Sequence, residues 1–227
     1  GESTDKLVNR QAAWGDSHLN TRQTEFKWDN QLATPVGTVL AGWEHLEQKV
    51  DTSNNYAVNQ RTVNAAFVGV NGSAGRHSWQ ANVRRDDNSQ FGGFTTYGLG
   101  YGLELAPGWR AYASHGKSMR APSFNDLYYP APGMAWGGNP DLVPEKSRGV
   151  ELGVRARLPR LQLDAAVFAS HYSNLIMDTV LIRGTGTVAD PRIFQTLNTD
   201  RARIHGFEVK GVYDWGRMAG GRLSTPF

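Results

Sequence analysis

The feature of this sequence that most constrains its fold is a strict alternation of apolar and polar residues over long stretches. In YGLGYGLEL (97–105), apolar side chains take the odd positions, and glycine and glutamate take the even ones. In SRGVELGVRARL (147–158), valine, leucine and alanine alternate with glycine, glutamate and arginine. A period of two residues is typical of β-strands with one apolar and one polar face. The chain is therefore predicted to be all-β.

The length of these stretches narrows the prediction further. They run for about 10 to 14 residues, whereas an ordinary strand has about 5–6 and a strand that crosses a bilayer needs about 9–11. Short connections (34–37, 71–75, 106–108, 159–160, 215–221) alternate with longer ones (14–21, 51–56, 86–93, 117–146, 173–201). Roughly nine strands joined in this way, with a possible partial one before Trp14, form an antiparallel up-and-down meander, as in a transmembrane β-barrel. A soluble sheet of long strands remains the alternative from the pattern alone.

Composition excludes several functions. Cysteine is absent, which rules out disulfides and thiolate sites. The net charge is only +3, with acidic and basic residues interspersed, so no nucleic-acid partner is expected. The six histidines form no ligand-spaced pair and no nucleophile motif occurs, so neither a metal site nor enzyme activity is expected. Asp86, Asp87 and Asn88 suggest a calcium loop, but a solvated hairpin tip is the preferred interpretation.

One segment departs from the alternation. The stretch RAPSFNDLYYPAPGMAWGGNPDLVPEKS (120–147) is rich in proline, glycine and aromatic residues, and it follows neither a helical nor a strand period. Long loops in compact domains are usually functional or disordered. It is predicted to be a long connection on the elaborated rim of the barrel.

Several motifs follow one another through the second half of the chain. They are YASHG (112–116), RAPSFNDLY (120–128), GNPDLVPE (138–145), ELG (151–153), NLI (174–176) and NTDRARIHGFE (198–208). In this order they resemble the barrel signature of the TonB-dependent outer-membrane receptors. Within that family, RRDDNSQFGGFTTYGLGYG (84–102) together with FNDLYYP (124–130) is most similar to the vitamin B12 (cobalamin) receptors.

The resemblance implies a multi-pass barrel of about 22 strands in the bacterial outer membrane, of which residues 1–227 form a partial barrel domain. The family's plug domain and TonB-contacting segment are not recognisable here. RLSTPF (222–227) lacks the family's alternating last strand, so this ending is interpreted as a truncation, a frameshift or the boundary of an expressed piece. The implied partners are the TonB complex through the missing N-terminal region, the protein's own plug and outer-membrane lipid.

The implied function is active uptake of a large, scarce nutrient, with cobalamin as the first choice. A ferric-siderophore or haem receptor is the alternative, and a passive pore or surface-adhesion barrel is the alternative of another class. No cofactor is expected, although calcium is possible in the full-length protein.

The candidate residues fall into two groups. The loop candidates for ligand binding are Tyr128, Tyr129, Trp136 and Asn125. The candidates for holding the loop or contacting the plug are Arg120, Asp126, Asn139, Glu145, Glu151, Arg155 and Glu208. Phe124 and Leu127 are expected to pack the loop against the wall, and glycines of 98–102 to let a plug pack closely.

Overall fold

The computed structural model of the chain describes residues 1–11, 15–53, 56–129, 136–187, 189–190, 192–218 and 221–226. The elements are β1 (Glu2–Gln11), β2 (Gly15–Thr34), β3 (Gly37–Thr52), β4 (Gln60–Ala74), β5 (His77–Asn88), β6 (Gly92–Ala106), β7 (Trp109–Arg120), α1 (Phe124–Tyr128), β8 (Trp136–Gly137), β9 (Glu145–Arg157), β10 (Leu161–Arg183), β11 (Ile193–Met218) and β12 (Gly221–Pro226). Within these ranges, no helix is long and apolar enough to span a membrane.

All the long strands belong to one sheet, and their spatial order is their order in the chain. Each strand from β1 to β7 pairs antiparallel with the next, β7 pairs with β9, and the ladder continues to β12. The two-residue β8 is the exception among the described strands, because it pairs parallel with β11. In the described ranges β1 pairs only with β2, and β12 only with β11. The all-β antiparallel meander is confirmed, as an open segment of a barrel.

The two faces of the sheet differ in the way that the alternation predicts. One row across strands β6, β9, β10 and β11 consists of Tyr101, Leu152, Val167 and Phe207, whose exposed fractions are 47%, 54%, 55% and 77%. The opposite face carries the polar side chains of the same strands. In an outer-membrane barrel, the apolar face contacts lipid and the polar face lines the lumen. We call these the outward and the lumenal face.

Two rims follow from the direction of the strands. The short rim carries the connections 35–36, 75–76, 107–108 and 158–160, and the long rim carries 53–59, 89–91, 121–144 and 184–192. At the short rim Gly75 and Gly108 have φ angles of 56° and 78°, a region that tight turns require and glycine tolerates. The connections predicted at 71–75 and 215–221 are shorter than expected, because the strands that precede them continue to Ala74 and Met218.

The strand count and three of the long connections were predicted wrongly. The described residues contain eleven long strands rather than roughly nine. The expected connection 173–201 is mostly strand, since β10 and β11 stay paired up to Arg183 and Ile193. Alternation fails there because the register shifts after Met177 and Asn174 has a left-handed φ of 57°. The connection at 14–21 is also strand from Gly15 onward.

The third wrong connection is 86–93, where a three-residue turn (89–91) joins β5 to β6. Asp86 and Asn88 therefore belong to a strand, not to a solvated hairpin tip. The Asp86 carboxylate lies 2.9 Å from Arg84 Nε on the lumenal face. Asn88 is 5% exposed, and its Oδ1 accepts hydrogen bonds from the backbone N–H groups of Gln90 and Phe91. Side chain–backbone bonding of this kind replaces a longer loop.

The lumenal face also depends on glycine for space. Gly153 on β9 lies directly opposite Tyr112 on β7, and the Tyr112 ring occupies the position that a Cβ at Gly153 would take. The ring therefore lies flat on the wall, and its hydroxyl donates a 3.0 Å hydrogen bond to Asp164. At Gly116, by contrast, the nearest atom to an added Cβ is the Tyr97 carbonyl oxygen at 3.2 Å.

We expect Gly153→Ala to destabilise the full-length barrel by about 1–3 kcal/mol, because the added methyl group overpacks the wall and displaces Tyr112. Gly116→Ala is the matched control and should cost less than half as much. Unfolding in urea, followed by the mobility difference between folded and heated barrel on a gel, measures both. Equal effects of the two substitutions would contradict the proposed seating of Tyr112.

Candidate functional site

The segment 121–144 of the long rim, which we call the rim loop, begins with a short helix. The Ser123 hydroxyl accepts a hydrogen bond from the backbone N–H of Asp126 at 3.1 Å, and the Asp126 carboxylate accepts one from the backbone N–H of Ser123 at 2.7 Å. This reciprocal capping box satisfies N–H groups that the first turn of α1 leaves unpaired. Asp126 therefore shapes the start of the helix.

A buried arginine on a distant strand holds the start of the rim loop. Arg61 of β4 is 9% exposed, and it donates hydrogen bonds to the Pro122 carbonyl oxygen at 2.7 Å and to Gln48 at 2.6 Å. Its guanidinium lies 4.8 Å above the centre of the Phe124 ring. A buried cation needs such partners, and arginine supplies both the fork of donors and the flat face for stacking. The rim loop follows β7, and it is thus held by a residue of β4, three strands away in the sheet.

The connection between β3 and β4 holds the helix itself. Phe124 is buried in a cluster with Val50 and Tyr56. Burial raises the pKa of Tyr56, so its hydroxyl stays protonated and donates a 2.7 Å hydrogen bond to Asn125 Oδ1. Next to it, Gln90 Nε2 donates a 2.6 Å hydrogen bond to the Tyr128 hydroxyl. The polar groups of Asn125 and Tyr128 are therefore engaged by the wall.

The end of α1 and residues 137–144 of the rim loop pack on the extended hairpin of β10 and β11. Leu127 is 1% exposed and lies in a cluster with Leu142 and Ile176. Asn139 Nδ2 donates a 3.2 Å hydrogen bond to the Thr196 carbonyl oxygen. Asn198 Oδ1 accepts a hydrogen bond from the backbone N–H of Val143 at 2.8 Å. Phe124 and Leu127 thus pack the loop at two separate places on the wall.

An ion pair closes the base of the rim loop. Arg120, the last residue of β7, donates to Glu145, the first residue of β9, at 2.5 Å. The other carboxylate oxygen of Glu145 accepts a 2.6 Å hydrogen bond from the backbone N–H of Ile176. Glu145 therefore joins the loop base to the neighbouring hairpin.

A cavity of about 420 Å³ lies beside the rim loop, and two of the sequence-predicted ligand residues line it. Tyr128 and Tyr129 contribute aromatic surface, and Tyr129 is 41% exposed. Its other walls come from Leu127, Pro140, Ile182, Ile193 and Phe194, with polar atoms from Gln195. The backbone of Trp136 pairs with Phe194 next to the cavity, whereas the Trp136 side chain lies outside the described part of the structure.

Three other predicted residues lie deep on the lumenal face. Glu151, Arg155 and Glu208 line one polar chamber of about 430 Å³. Arg155 Nη2 is 2.6 Å from Asp164, and Glu208 is 2.9 Å from Lys210. Arg155 and Glu208 are therefore paired within the wall, far along the strands from the rim loop. Among the described side chains, no three His, Cys, Asp or Glu residues come together as a metal site.

Sequence reasoning missed the wall residues that position the rim loop, namely Tyr56, Arg61, Gln90 and Asn198. One signal was available: Ser123 and Asp126 have the S-x-x-D spacing of a capping box, which predicts the start of α1. The other contacts join residues that are 38 to 69 positions apart. No local pattern reveals such partners.

Known proteins resemble the chain over nearly its whole length. The family model described as "TonB dependent receptor-like, beta-barrel" matches residues 2–225. The vitamin B12 transporter BtuB of Vibrio vulnificus is 32% identical over 203 residues, which covers 87% of this chain and 31% of that protein. The chain thus spans about a third of the length of this curated relative.

Two solved structures share the fold. The siderophore receptor PirA from Pseudomonas aeruginosa superposes with a TM-score of 0.73 at 18% identity, covering 93% of this chain and 42% of PirA. The hemophore receptor HasR of Serratia marcescens, solved as a double mutant with its hemophore HasA and heme, gives a TM-score of 0.66 at 17% identity, covering 88% of this chain and 40% of HasR. With the match over residues 2–225, these findings show that the chain belongs to the TonB-dependent receptor β-barrel family, whose members are multi-stranded barrels of the outer membrane.

Proposed function

We propose that the chain is one segment of the barrel domain of a longer receptor that takes up cobalamin. The observation that carries this proposal is the 32% identity to the vitamin B12 transporter BtuB over 87% of the chain. Receptors of this family work with TonB and contain a plug domain. In the full-length protein, the plug would fill the lumen behind this wall, and TonB would act through a region outside this chain.

The alternative substrates are ferric siderophores and haem. They are supported by the fold that the chain shares with the receptors PirA and HasR. Sequence identity to those two proteins is 18% and 17%, so the shared fold does not favour one substrate over another. Cobalamin remains the first choice because the BtuB similarity extends to sequence.

We propose that some residues of the rim loop contact the ligand and that others hold the loop in its conformation. Tyr129, together with the ring of Tyr128, presents rigid aromatic surface to a bulky ligand at the 420 Å³ cavity. Asn125 positions the helix, because its amide oxygen already accepts from Tyr56. Arg120, Asp126, Asn139 and Glu145 hold the loop in shape. Trp136 remains a candidate from the sequence.

For the plug, we propose contact with the lumenal chamber that Glu151, Arg155 and Glu208 line. Their partners within the wall leave further hydrogen-bonding positions for a neighbouring domain. In the described ranges no three acidic or histidine side chains converge.

Tyr129→Ala in the full-length receptor should weaken cyanocobalamin binding by about tenfold, because an aromatic contact in a pocket contributes about 1–2 kcal/mol. Isothermal titration with cyanocobalamin, and with a ferric siderophore in parallel, measures the loss and identifies the substrate. Tyr101→Ala on the outward face is the matched control and should leave affinity unchanged. Saturable siderophore binding without cobalamin binding would refute the proposed substrate.

Arg61→Gln should loosen the rim loop, because the Pro122 carbonyl oxygen and the Phe124 ring lose a cationic partner worth about 1–3 kcal/mol. Faster hydrogen exchange of the backbone amides in 123–129 would report the opening. The control, Arg85→Gln, removes an outward arginine from the neighbouring strand. If both variants exchange at the wild-type rate, Arg61 does not fasten the loop.

Arg155→Gln should reduce uptake while ligand binding stays within about twofold of wild type, since this residue lies in the lumen rather than at the cavity. Uptake of labelled cyanocobalamin by cells and binding to the purified receptor separate the two effects. A loss of affinity as large as the loss of uptake would contradict the assignment of this chamber to the plug.

A further inference from the structure

A row of cations crosses the outward face near the long rim. Lys117 of β7 lies opposite Arg148 of β9, Arg148 lies opposite His171 of β10, and His171 lies opposite Arg203 of β11. The next row toward the rim adds Lys146 and Arg201, which both lie opposite Ser173. We call these six residues the outward cation patch.

The patch has no carboxylate to neutralise it. Outward positions of the paired parts of β7, β9, β10 and β11 (109–119, 146–156, 161–173 and 201–213) contain no Asp or Glu. In the described part of the chain, none of the six side chains makes an ion pair or a side-chain hydrogen bond. Five of them are exposed, and Lys117 is half-buried. Like charges opposite one another on neighbouring strands destabilise a sheet.

Charges on the lumenal face behave differently. Arg84 is held by Glu44 and Asp86, each at 2.9 Å, and the loop-base pair of Arg120 and Glu145 is closed at 2.5 Å. Carboxylates of the wall therefore neutralise these lumenal cations, whereas the cations of the outward patch have none. A neutralising anion for the patch must come from outside this wall.

The position of the patch indicates which anion this is. One row below it, toward the short rim, Val150 and Ala169 lie between His115 and His205, and the rows beyond that are apolar. The patch thus begins where the lipid-facing band ends, at the level where lipid headgroups meet a barrel. At that level, clustered Lys and Arg side chains attract anionic headgroups by about 1 kcal/mol per cation.

From this arrangement we propose that the outward cation patch binds the phosphate groups of an anionic lipid in the outward-facing leaflet of the membrane. Arg148 and Arg203 supply planar forks that match phosphate oxygens, and Lys117 and Lys146 supply compact charges beside them. The acyl chains of the same lipid pack on the apolar rows below, such as Leu152 and Val167. The site does not depend on which nutrient the receptor takes up.

The test uses the full-length receptor, washed free of lipid in a neutral detergent. It is titrated with lipid A carrying two phosphates, with zwitterionic phosphatidylethanolamine and with inorganic phosphate, and bound lipid is counted by native mass spectrometry. We expect lipid A to bind saturably and the other two not to bind. The double variant Lys117→Gln/Arg148→Gln should weaken lipid A binding by tenfold or more.

The matched control is the double variant Arg22→Gln/Lys49→Gln. These two cations also lie directly opposite each other on the outward face at the long rim, but Glu2 and Glu47 neutralise them. The control should change lipid A affinity by less than twofold. Equal losses in both variants, no loss in the first one, or equally tight binding of inorganic phosphate would overturn the proposal. The proposal would also be overturned if an acidic protein displaced bound lipid A and other anionic lipids did not.

Discussion

The structure depends on one constraint: inside a bilayer, every backbone N–H and C=O group must find its partner within the protein. The antiparallel ladder from β1 to β12 meets this requirement for the strands between its two edges, and the outer sides of β1 and β12 are the places where it still needs neighbours. Once the ladder is fixed, side chains alternate between lipid and lumen, and neighbouring strands meet at two rims. Apolar outward rows, paired lumenal charges and an elaborated long rim all follow from that ladder.

The rim loop illustrates how function can be added to such a wall without changing it. Its helix has its own cap, and residues on β4 and in the connections after β3 and β5 fasten it through Arg61, Tyr56 and Gln90. One of these supports lies on a strand, and the other two lie in connections next to strands. The aromatic surface at the cavity is therefore held from several places at once, which would lower the cost of ordering it for the proposed ligand.

Sequence predicted the parts of the fold that the bilayer dictates. Alternation identified strands such as β6 and β9 because their two faces meet different solvents. It failed in 173–201, where apolar residues run consecutively instead of alternating, as in 175–177 and 180–182, where the register shifts after Met177, and where Asn174 has a left-handed φ. It also failed for the contacts of Arg61, because they depend on the register of strands that are distant in the sequence. The proposed roles of Tyr129 in ligand contact and of Arg155 in plug contact stay predictions.

The pairing of lumenal charges has a consequence for any group that faces this wall. Because Arg84, Arg155 and Lys210 each have a carboxylate partner, the lining presents many local dipoles but little net field. The attraction of a charged solute to such a lining decays within a few ångströms and does not trap the solute at one depth. A lining built in this way is polar yet electrostatically quiet, so that a cationic group and an anionic one would meet it with similar energy.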